Sequence, residues 1–176
     1  MNRLIVWRHP KPDGARGRCI GRTDLAVNAR RAKRLAHRIR TQARREGWPR
    51  VIHTSPLERC AAVGRWLRRF GFKHRIDRDL AEMDFGAWDG QAWSRVSAEQ
   101  VREWEGNFMH HAPGGGESLA QLFERVQRFA ASRPGVCLVV GHAGWINAWR
   151  WQQQHAQTPP HAALWPAPPR YTERLG

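Results

Sequence analysis

Two histidines and two arginines carry the chemistry that this sequence offers. The apolar run 4–7 stops on Arg8-His9, and Pro10 then forbids a regular continuation. Far along the chain, the run 136–140 leads through Gly141 to His142 in "GHAG". A third segment, residues 50–53, ends at Thr54 and feeds "TSPLERC", a helical start with Arg59 in its first turn. All three runs read as strands, and open α/β sheets bind ligands outside the carboxyl ends of their strands. A helix start turns unpaired N–H groups toward the same edge. Two imidazoles, two guanidiniums and a helix start converging on one place would attract a dianion. Singly, each has an ordinary structural explanation. At equivalent positions on separate strands, they indicate a phosphate site.

The elements that must position these residues can be read from periodicity. Residues 3–7, 50–53 and 136–140 are short strands, the last a continuous apolar run as in a sheet covered on both faces. Asn28 caps a helix to about Glu46, with an apolar stripe of Ala29, Ala32, Leu35, Ala36, Ile39 and Ala43. Ser55 and Glu58 have capping-box spacing with Pro56 at the first helical position, opening a helix to about Phe70. Residues 76–90 are irregular. "SAEQ" at 97–100 opens a short polar helix, and Ser118 with Gln121 caps an amphipathic one carrying Leu119, Leu122, Phe123, Val126 and Phe129. Strands alternating with helices predict an α/β fold: a three-layer sandwich with a mostly parallel central sheet flanked by helices. Residues 1–157 form one domain, and 158–176 a proline-rich tail, extended and without a fold of its own.

Bulk properties narrow the function classes. A chain of 176 residues suits one domain with an ordinary core. No apolar stretch approaches the ~18 residues of a membrane span, so no membrane partner is expected. The first apolar run is too short for a secretory signal and lacks a small-residue cleavage site. Cys19, Cys60 and Cys137 form no CxxC and read as buried free thiols of a reducing cytoplasm, which sets the expected localisation. A net charge of +15 suits nucleic acid, acidic lipid or small anionic substrates. Within 29–45 the basic residues fall between the apolar positions, where a solvated face explains them, so nucleic acid is the lesser reading. Adjacent His110-His111 does not make a metal pair, and neither metal nor cofactor is expected. How many copies associate is left open.

Beyond this reading, "RHP", "TSPLERC", "LAEMDFGAWDG", "PGGGES" and "VVGHAG" resemble, in order and approximate spacing, the motifs of the histidine phosphatase superfamily, the phosphoglycerate-mutase-like proteins. The likeness covers roughly residues 3–150. "RHPKP" with "GRCIGRTDL" is most similar to the α-ribazole phosphatase branch of cobalamin biosynthesis. The resemblance implies that His9 is the nucleophile that becomes phosphohistidine, that Arg8, Arg59 and His142 clamp the phosphoryl oxygens, and that Glu82 protonates the leaving alcohol. Asp84 is the rival acid. Gly21 matches a glycine of the family's substrate loop. These roles suit the chemistry, because phosphoryl transfer asks for in-line positioning and positive charge around the equatorial oxygens.

Several positions depart from the family pattern. Pro10 stands where a glycine usually follows the nucleophile, "PDGARG" lacks the mutases' asparagine, Ile20 replaces a hydroxyl residue, and Gly141 precedes the second histidine. The chain between Glu82 and His142 is short for a mutase, which must seal its site from water. The expected function is therefore metal-independent hydrolysis of a small anionic phosphorylated metabolite, α-ribazole 5′-phosphate first. The alternatives are a phosphoglycerate mutase, a broad-range phosphatase, or a non-enzymatic basic nucleic-acid binder.

Overall fold

The computed structural model describes residues 3–176. A five-stranded sheet forms the middle layer. Its strands are β1 (Arg3–Arg8), β2 (Val51–Thr54), β3 (Lys73–Ile76), β4 (Val136–Gly141) and β5 (Arg174–Leu175), in the spatial order β3-β2-β4-β1-β5. All pairings are parallel except that of β5 with β1. The helices are α1 (Ala29–Arg45), α2 (Glu58–Arg69), α3 (Ala98–Gly106), α4 (Leu119–Ala131) and α5 (Ala143–Gln154).

Successive strand residues face opposite ways, so the central strands feed two cores. Ile5 and Trp7 of β1 pack with Leu138, Val140 and Ile52 beneath α1 and α2. Leu4 and Val6 pack with Cys137 and Val139 beneath α4 and α5. That alternation makes the three layers. The five positions buried along α1 are Ala32, Leu35, Ala36, Ile39 and Ala43, and its guanidiniums face outward. Asn28 accepts the Arg30 and Arg31 N–H groups as its N-cap. Both expected boxes, Ser97–Gln100 and Ser118–Gln121, form with reciprocal hydrogen bonds. Cys19, Cys60 and Cys137 are buried and unpaired. Among the described residues, no helix is long and apolar enough to cross a membrane.

The Ser55–Glu58 box does not form. The N-cap of α2 is Leu57, which makes no side-chain cap bond. The Glu58 N–H is taken instead by Asp24 Oδ1 at 2.6 Å, and the Glu58 carboxylate pairs with Arg65. Ser55 Oγ accepts the Leu57 N–H at 3.0 Å instead.

Residues 158–176 also differ from the extended tail expected. They lie on the domain: Asn147 donates to the Pro166 carbonyl, Trp165 packs against Phe108 and Phe123, and β5 joins the sheet edge. Prolines obscure this in the sequence, because the strand they precede is only two residues long.

Candidate active site

Strand register brings the two histidines together. β1 and β4 are parallel neighbours in which Arg8 pairs with Gly141, so His9 and His142 are the next residues off adjacent strands. The His9 N–H still donates to the Gly141 carbonyl, which carries the pairing one residue beyond β1. The imidazole centroids end 5.0 Å apart, with planes inclined by 58°.

Each ring has a defined tautomer. The Pro10 carbonyl can only accept, so the 2.7 Å contact with His9 Nδ1 puts the proton there and leaves Nε2 with its lone pair. Proline at position 10 thus offers no N–H to an anion, but its carbonyl orients the His9 ring. Burial, then the neighbouring Arg59, pushes the His9 pKa down to about 3, so the ring is neutral at pH 7. Arg59 Nε can only donate, so His142 Nδ1 accepts its bond at 3.2 Å. His142 Nε2 then carries the proton and donates to Ser55 Oγ at 2.8 Å. Full burial, with Arg59 second, holds this ring well below its usual pKa. The result is one imidazole with a free lone pair beside another fixed as a donor.

Arg59 organises the floor. It is 1% exposed, and it reaches the Gly21 carbonyl through Nη2 (2.6 Å) and the Thr23 carbonyl through Nη1 (2.8 Å). Those three bonds leave two of its five N–H groups for a substrate. Gly21, expected to touch substrate, holds Arg59 in place. Its carbonyl is taken, and its N–H donates to Asp89. A Cβ there would collide with the Met83 carbonyl and Asp89, so only glycine lets this loop close on Arg59. Asp89 holds the loop by accepting from the Gly21, Arg22 and Thr23 N–H groups and the Thr23 hydroxyl.

Glu82, 8% exposed, sits at the N-terminus of α5. Its Oε1 accepts from the Met83 and Trp145 N–H groups and its Oε2 from Gly144, at 3.0–3.1 Å. Oε2 therefore keeps a lone pair on which a proton can be carried. A Cβ on Gly144 would stand 2.6 Å from Oε1, so this approach also requires glycine. Asp84, the rival, is turned into its own loop, where it accepts from Gly86 N–H. Arg8 is half-buried and lies within electrostatic reach of Glu82 and Arg59. All five residues expected to do chemistry are therefore gathered at the carboxyl edge of the sheet. A cavity of about 820 Å³ opens at the other end of β1, beside Arg3, Leu4, Trp149 and Trp151, and includes none of them.

Three contributors escaped the sequence reading. Ser55 receives the His142 proton. Arg125, 6% exposed, is paired with both Glu117 oxygens and donates to the carbonyls of Asp79, Ala81 and Glu82, which pins the segment bearing Glu82. A signal for it existed: position 125 falls on the apolar stripe of α4, three residues after Leu122 and four before Phe129. The third is Tyr171, whose ring lies over Arg8.

Comparison with known proteins bears on the family and the fold. A sequence model of the histidine phosphatase superfamily (branch 1) matches residues 4–167. The bifunctional protein Rv2228c of Mycobacterium tuberculosis is 31% identical over 132 residues, 72% of this chain. The chain spans only 35% of that protein's length. The crystal structure of TTHB049 from Thermus thermophilus superposes with a TM-score of 0.64 at 29% identity, covering 82% of this chain and 81% of the other. Mycobacterial glucosyl-3-phosphoglycerate phosphatase Rv2419c shares the fold, with a TM-score of 0.70 at 23% identity over 85% and 77% of the two chains.

Proposed function

The chain belongs to the histidine phosphatase superfamily, and from that premise we propose that it hydrolyses phosphomonoesters of small metabolites through a phosphohistidine on His9. The carrying observation is the neutral His9 ring, with its Nε2 lone pair free, 5.0 Å from His142. His9 Nε2 attacks phosphorus as the ester P–O bond breaks, and the alcohol leaves with the proton held on Glu82. A water then gives its proton back to the Glu82 carboxylate and attacks the phosphoryl group. The P–N bond breaks and orthophosphate is released. Arg8, Arg59 and the His142 Nε2–H supply the positive charge and donors around the oxygens, the last by leaving Ser55. Guanidiniums suit this task because their forks meet phosphate oxygens two at a time. No step calls for a metal.

Hydrolysis is favoured over mutase chemistry by the short chain between Glu82 and His142. The finer substrate reading, α-ribazole 5′-phosphate, rests on "RHPKP" with "GRCIGRTDL" alone, and the three unpaired cysteines favour a cytoplasmic setting. The test is turnover of p-nitrophenyl phosphate by the wild type and its loss in His9→Gln. A panel of phosphorylated metabolites that includes α-ribazole 5′-phosphate then names the substrate. Equal slow hydrolysis of the whole panel would replace the ribazole reading with a broad-range phosphatase. Nucleic-acid affinity without turnover would displace the enzyme reading altogether.

A further inference from the structure

Residues 169–172 cross the carboxyl end of β1 beside His9. The Tyr171 ring lies over the Arg8 guanidinium at 3.9 Å and 5.7 Å from the His9 ring. From the same strap, the Pro169 carbonyl accepts from Arg8 Nη1 at 2.6 Å. The backbone secures the strap to the very residue it covers: Arg8 N–H donates to Glu173 O, and Thr172 N–H to Arg8 O, both at 3.0 Å. Thr172 turns with φ +62°, a left-handed conformation costly for a β-branched residue. Such strain persists where surrounding contacts over-determine the backbone, and it clusters at ligand clamps.

Arg8 is underemployed as it stands. Its Nε is buried without a hydrogen-bond partner, and no carboxylate forms an ion pair with it among the described residues. The nearby Arg59 charge repels it. A guanidinium so placed would ordinarily swing its head to water on its flexible stem. The carbonyl and the aromatic face prevent that. Resting on the phosphatase reading, we infer that Tyr171 is a positioning residue of the phosphate clamp, its ring locking the Arg8 fork beside His9 with idle N–H groups kept for phosphoryl oxygens. The strap is then part of the substrate site, not an appendage to the fold.

Binding of inorganic phosphate, measured by calorimetry, reads the clamp independently of turnover. Tyr171→Leu keeps apolar bulk but removes the π face, so it is expected to weaken phosphate roughly tenfold, the scale of a half-buried cation–π contact. Its melting temperature should stay near that of the wild type. Tyr171→Phe keeps the ring and is expected to recover most of the lost affinity. Unchanged affinity in Tyr171→Leu overturns the inference, as does an equal loss in Leu and Phe variants, which would assign the effect to the hydroxyl. p-Nitrophenyl phosphate turnover is followed in parallel. A wild type that binds phosphate without turnover refutes the phosphatase reading and leaves the strap to be judged by affinity. A wild type that turns over p-nitrophenyl phosphate yet binds no phosphate overturns the clamp and leaves the phosphatase reading standing.

Discussion

His9 and His142 face one another because Arg8 is hydrogen-bonded in register with Gly141. The pair is a product of parallel strand pairing: a slip of one residue would turn the following side chains to opposite faces of the sheet. Sheet register is thus the first determinant of the chemistry, and burial is the second. Rings held this far from water and beside guanidiniums stay neutral, because burial and the neighbouring cations both disfavour the imidazolium.

Glu82 serves two structures, and one substitution separates them. Glu82→Gln keeps an oxygen for one of the two α5 N–H groups, turns an NH2 toward the other, and cannot carry the transferable proton. Turnover of an alkyl phosphate should fall roughly 10²–10⁴-fold, the range for a general acid. p-Nitrophenyl phosphate, whose phenolate leaves without help, should lose less in the phosphorylation step. Burst kinetics on both substrates check this, and equal losses in that step would remove Glu82 from the acid role.

Arg125 should matter first to stability. Arg125→Ala strands the Glu117 carboxylate and three backbone carbonyls in a largely buried place, at a cost of about 3–5 kcal/mol. Arg128→Ala, which removes the exposed pair with Asp79, should change little. Urea unfolding of the two variants tests the contrast. Equal midpoints would show that Arg125 does not hold the Glu82 segment.

The buried imidazoles make stability depend on pH. Burial comes first among the causes in each case: His9 is pushed down to about 3, His53 to about 4, and His74 and His142 lie below their ordinary value. The unfolded chain takes up these protons near pH 6.5, whereas the folded protein does not, so stability rises with pH across the interval. It is fully present above about 6.5 and falls as the pH drops toward about 4. Equilibrium unfolding between about pH 7.5 and 5 measures the slope, and a flat profile would contradict neutral burial.

Much of this was legible in the sequence, for reasons that can be stated residue by residue. Strand ends bearing Arg8-His9 and His142, the Asn28 cap and the boxes at Ser97 and Ser118 are local signals, and each appears where local chemistry places it. Three elements were missed because their determinants are remote. β3 reads Lys-His-Arg-Ile, too polar for a buried run, since it is an edge strand. α5 has His142 at its N-cap, which makes no side-chain cap bond. Its capping carboxylate is Glu82, which arrives from a distant loop. β5 is two residues long and takes its direction from β1. The same remoteness hid Ser55 and Tyr171, whose roles exist only once the strands are paired.

Gly144 tests how closely Glu82 must approach. A methyl group there would meet Oε1 at 2.6 Å and displace the carboxylate, so Gly144→Ala should lose more activity than fold stability. Parallel turnover and melting curves decide, and full activity would show that the acid tolerates displacement.

The most direct measurement is a mass spectrum of the protein quenched in alkali during turnover of p-nitrophenyl phosphate. One added phosphoryl group, labile to acid, is expected in the wild type and none in His9→Gln. Turnover that persists in His9→Gln, or a phosphoryl group found on another residue, would contradict the phosphohistidine mechanism.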